Sequence, residues 1–141
     1  MTTSTISTLE KSIHQTNGWL DELGRELGCD AQQAYRALRA VLHALRDRMT
    51  VEEASDLGAQ LPTIVRGFYY EGFNPSKQPT TESDRKEFLQ RVSRELQDAQ
   101  GVDALAATKA VFRLVATHCT LGQIRHVVTQ LPQEVQELWP D

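Results

Sequence analysis

Apolar residues recur along this chain at intervals of three and four, the spacing of amphipathic helices. Ile6, Leu9 and Ile13 form a short stripe over Thr5 to Asn17. Asn17–Gly18 is a candidate end for that helix, the alternative being a helix that runs on through Trp19. Trp19, Leu20, Leu23 and Leu27 repeat the spacing, and Gly28 predicts a C-cap because glycine enters the left-handed region without a side-chain clash. Asp30-x-x-Gln33 then opens the longest predicted helix. One face of it carries Ala34, Ala37, Leu38, Val41, Leu42, Leu45 and Met49. Thr50-x-x-Glu53 predicts a capping box for a helix bearing Val51, Ala54 and Leu57. That helix is expected to end near Leu61, since Pro62 disfavours helix in the residue before it and belongs to the first turn of the next one. The next helix carries Ile64, Val65, Phe68 and Tyr69.

A turn at Gly72 begins a linker over residues 73–83, rich in Pro, Ser, Thr and Asn. Thr81 or Ser83 is the expected cap of the following helix, in which Phe88, Leu89, Val92 and Leu96 repeat the pattern of Trp19 to Leu27. A second long helix is predicted from about Val102 to His118. Thr120-x-x-Gln123 reads as another capping box, followed by Ile124, Val127 and Val128, and then by Leu131–Pro132, Val135, Leu138 and Trp139.

These two series are related by an internal offset. Ala34, Ala37, Ala40, Val41, Thr50, Leu61, Pro62 and Val65 match Ala104, Ala107, Ala110, Val111, Thr120, Leu131, Pro132 and Val135. The leading helices fit an offset one shorter, which places a one-residue insertion near Gln100–Gly101. The expectation is an all-α protein made of two tandem helical-bundle repeats of about four helices each. These occupy residues 18–72 and 84–141, packed into one compact body with an additional N-terminal helix over 1–17. Units of such size are marginal alone, so the halves are expected to share a core.

Composition narrows the function classes. The 141 residues are 40% hydrophobic and 24% charged, with a net charge of -4. Eight basic and ten acidic residues lie through Pro79, and seven and nine follow, so neither half is basic and nucleic acid is disfavoured as a partner. Cys29 and Cys119 lie outside any C-x-x-C spacing and read as reduced thiols. No apolar run approaches the ~18 residues of a membrane span, and no signal-peptide pattern opens the chain. A cytoplasmic location and no membrane association are expected.

The chain resembles the domain-of-unknown-function family 2267. The likeness is carried by Gln15-Thr16-Asn17-Gly18-Trp19-Leu20, by the run from Ala34 through Arg48, by Gln60-Leu61-Pro62, by Tyr69-Tyr70-Glu71-Gly72-Phe73-Asn74-Pro75 and by Glu87-Phe88-Leu89-Gln90-Arg91-Val92. Phe73–Asn74 stands where Trp–Asp is commoner in the family, a conservative departure. The resemblance implies a bacterial, all-helical, cytoplasmic protein and carries no activity with it.

Two constellations are candidates for function. Arg36, Arg39, His43 and Arg46 form a basic stripe opposite the apolar face of the long first helix, partly echoed by Lys109 and Arg113. Its plain reading is a solvated face whose stems cover apolar surface; an acidic partner protein, or an anionic ligand or nucleic acid, are the functional ones. Tyr69, Tyr70 and Phe73, with Trp139, form an aromatic set that reads as core or inter-repeat packing, or as an interface anchor. His118, Cys119 and His126 offer no fourth ligand for zinc, and Gln123-x-x-His126 lacks the carboxylate of a di-iron motif. No metal, no cofactor and no catalytic motif is assigned. The sequence therefore predicts a non-enzymatic module that binds a protein partner or itself, with anion binding along the arginine stripe as the alternative.

Overall fold

The computed structural model describes residues 6–96 and 101–141. Within them the chain is all-helical, with α1 (Ser7–Leu27), α2 (Ala31–Arg48), α3 (Val51–Gly58), α4 (Thr63–Tyr70), α5 (Arg85–Glu95), α6 (Ala104–His118), α7 (Leu121–Thr129) and α8 (Gln133–Gln136). A single 3-10 turn, Pro75–Lys77, lies in the linker. No helix among the described residues is long and apolar enough to cross a membrane.

The N-terminal helix is not a separate element. α1 runs unbroken through Asn17–Gly18 to Leu27, where Gly28 (φ 65°) ends it. A glycine inside a helix costs roughly 1 kcal/mol relative to alanine. Burial of Trp19 and Leu23 on the far side of Gly18 outweighs that cost.

α2 is the central rod. Ala34, Ala37, Leu38, Val41, Leu42 and Leu45 are all fully buried, and α2 packs against α1, α4, α5 and α6. Ala at three of its inward positions lets those neighbours approach closely. Asp30 and Gln33 exchange hydrogen bonds in a complete capping box. At Thr50 and Thr120 only half of the expected box forms: each hydroxyl accepts from the N–H three residues on, at 3.3 Å. The Glu53 and Gln123 side chains do not return to their caps, and each keeps one buried oxygen without a hydrogen bond among the described residues. α5 is capped by Asp84 rather than by Thr81 or Ser83; Asp84 accepts from Glu87 N–H at 2.8 Å, and Ser83 donates to the Glu87 carboxylate. Pro62 and Pro132 sit at the N-caps of α4 and α8, one position earlier than expected. The expected insertion near Gln100–Gly101 lies at the edge of residues 97–100, which are outside the described residues; the described residues resume at Gly101.

The linker is anchored along its length. The Gln78 side-chain amide donates to the Arg46 and Met49 carbonyls at the end of α2, Thr80 N–H donates to Asp47 O, and Arg48 donates to Glu82 O. The first three of these bonds satisfy carbonyls at the C-terminal end of α2, and the last ties the linker's own backbone to the helix.

Candidate functional site

The basic stripe of α2 folds inward rather than facing solvent as a row. Arg46 is buried, at 3% exposure. Its guanidinium donates to Asp47 (2.7 Å) and to the carbonyls of Tyr69 (2.8 Å) and Glu71 (2.7 Å), and it lies over the Phe73 ring. His43 is also buried; its Nε2 lies 2.7 Å from the Phe68 carbonyl and its Nδ1 3.0 Å from the Glu95 carboxylate. Both neighbours offer hydrogen-bond acceptors, which fix the ring between α4 and α5. Arg39 pairs with Glu71 at 3.0 Å and lies over Tyr35. His43 and Arg46 of α2 thus end at carbonyls of Phe68, Tyr69 and Glu71, the open C-terminus of α4, where the helix dipole favours the positive charge of Arg46.

From the other half, α5 supplies the counterparts. Arg91 donates to Asp47 at 2.6 Å, and Glu95 holds His43. Asp47 sits between Arg46 and Arg91. Burial pushes its carboxyl upward, but hydrogen bonds and charge from both arginines outweigh this and hold it below the ordinary carboxylate range. Arg39, His43, Arg46, Asp47, Glu71, Arg91 and Glu95 border an open cleft of about 420 Å³. Its cations already face carboxylates or carbonyls. Of the four stripe residues only Arg36 makes no ion pair or hydrogen bond to a described residue. Lys109 and Arg113 lie on the exposed side of α6, with Arg113 paired to Glu26.

The aromatic set also divides. Tyr69 is wholly buried, its hydroxyl donating to Ala54 O at 2.6 Å, and burial drives its phenol far above the usual range. Tyr70 and Phe73 are half-buried and pack edge-to-face in series with Tyr69. Tyr69 thus has no surface to offer a partner, while Tyr70 and Phe73 keep part of theirs. Trp139 stacks on Phe112 at 4.1 Å. His118 stacks on Trp19 and pairs with Glu22, while His126 lies 4.0 Å from Glu53. Among the described residues no three His, Cys, Asp or Glu side chains converge on a metal position.

Uncovered apolar surface lies elsewhere. Ile6, Leu9 and Ile13 are 65%, 54% and 52% exposed on the first turns of α1, before Thr16 enters the body. Leu121 (68% exposed), Ile124, Val128 and Trp139 line a groove of about 560 Å³ between α7 and the C-terminal residues. The stripe on α1 was visible in the sequence, but its lack of cover was not. The groove joins residues from two segments, and only the tertiary structure assembles it. Asp47 and Glu95, partners of the stripe, carried no pattern that would single them out.

A family model described as an uncharacterized conserved protein (DUF2267) matches residues 16–138, and the chain belongs to that family. No curated protein matches it.

Proposed function

We propose that this family member is a non-catalytic association module: two copies of one helical unit, fused around a shared core, presenting an apolar helix to a protein partner. The observation that carries the association reading is the uncovered Ile6–Leu9–Ile13 stripe. Large apolar side chains grouped on one exposed face gain burial only when something covers them, and such a patch marks an interaction surface. A polar cleft whose charges are internally matched supports the same reading, because an anionic ligand would have to displace existing carboxylates.

Equivalent detail in both halves supports the fused-repeat part. Ala37 and Ala107, Val41 and Val111, and Val65 and Val135 are all wholly buried. Arg66 donates to Leu61 O and Gln136 to Leu131 O, the same bond seventy positions on.

Mild crosslinking in the native cells followed by mass analysis tests the association reading. The wild-type chain is expected in species heavier than its 15.9 kDa, and Leu9→Asp with Ile13→Asp is expected to lose them. A bare wild-type chain, or complexes indifferent to both substitutions, would overturn it.

A further inference from the structure

We infer that the projecting turns of α1 dock in the α7–C-terminal groove of a second copy of this chain, two copies exchanging these helices about a twofold axis. This rests on the association reading above and names its partner.

The two surfaces suit each other. Ile6, Leu9 and Ile13 stand at i, i+3 and i+7, the spacing by which a helix presents anchors to a groove. The groove offers Leu121, Ile124, Val128 and the Trp139 ring to receive them. The rims are complementary as well: Glu10 flanks the stripe, Arg125 flanks the groove, and neither pairs with a described residue.

Position favours exchange over folding back. α1 runs antiparallel to α6, since Glu26 pairs with Arg113 and Glu22 with His118. Trp19 covers His118 at the last turn of α6. The turns before Thr16 therefore extend past the end of α6, where the chain enters α7 at Leu121. Stripe and groove emerge at one end of the molecule, and the unbroken α1 cannot bend its stripe into its own groove. A twofold axis at that end lets each copy give and receive at once, which closes the assembly. It also counts the docked area twice, moving it toward the ~1,200–2,000 Å² of a stable interface.

The test is sedimentation equilibrium of the purified full chain over a concentration series, with circular dichroism to confirm folding of each variant. Wild type is expected to dimerise. Leu9→Asp and Leu121→Asp, both at exposed positions, are each expected to be monomeric. Mixed in equal amounts, they retain one intact stripe–groove contact and are expected to form a weaker mixed dimer. Glu10→Arg is expected to weaken the dimer, and adding Arg125→Glu to restore it. A wild-type monomer at every concentration would overturn the second-copy proposal while leaving other partners for the stripe. A dimer lost in Leu9→Asp but intact in Leu121→Asp would overturn the groove alone. A dimer indifferent to Leu9→Asp would overturn both this inference and the reading beneath it.

Discussion

Asp47 shows how one residue turns a basic stripe into a clamp. Its carboxylate accepts from Arg46 on its own helix and from Arg91 on α5, and the same Arg46 closes the end of α4. Its folded-state pKa lies below the ordinary value of about 3.9. The stabilisation is therefore fully present above the unfolded value and is lost as pH falls through the lower folded one. Urea unfolding at neutral pH should show Asp47→Asn to be less stable than wild type by roughly 1–3 kcal/mol, the size of a charge-assisted hydrogen bond. That gap should narrow below about pH 4, as the wild-type carboxylate takes up its proton. A gap that stays constant with pH would show that the charge on Asp47 contributes nothing. Substituting Arg46 is a poor probe of ligand binding, because it removes the side-chain donor of two carbonyls and leaves Asp47 with Arg91 alone.

Helix existence and the apolar faces of the elements were legible in the sequence; the partners of their polar ends were not. Asp30, Thr50 and Thr120 all cap as their patterns predict, because a cap is settled within four residues of chain. The return arm of a capping box is less local. Gln33 is exposed enough to reach back to Asp30, whereas Glu53 lies at the contact between α3 and α7, facing His126. Tertiary packing there draws the side chain away from its cap. Gln33→Ala should consequently cost several tenths of a kcal/mol in thermal unfolding, while Gln123→Ala should be near neutral, its oxygen having no bond to lose. Equal costs would mean that both boxes close in solution. The same distinction explains the stripe on α2: its spacing was readable, but its burial depended on where α4 ends and on which face α5 turns toward it. For the association surface, the α1 stripe could be read from periodicity, whereas the groove needed α7 and the C-terminal residues brought together.

At the scale of the whole molecule, the question is whether the two halves stand or fall together. α2, of the first half, packs on α5 and α6 of the second, and α1 packs on α6. The polar clamp from Asp47 to Arg91 and from His43 to Glu95 crosses the same boundary. A half of about sixty residues has too little buried surface to be secure alone, so the shared core should make unfolding a single transition. The molecule carries its own reporters, Trp19 in α1 and Trp139 behind α8. Leu61 and Leu131, each just before a proline and buried at 2% and 4% exposure, are the places to perturb each half. Either Leu→Ala change should cost about 2–5 kcal/mol. The decisive reading comes from single-tryptophan variants, Trp19→Phe and Trp139→Phe. Leu61→Ala should lower the midpoint reported by Trp139 as much as the midpoint reported by Trp19, and Leu131→Ala should do the reverse equally. If each substitution moved only the reporter in its own half, the halves would be independent units, and the clamp on α2 would be a docking contact rather than part of one core.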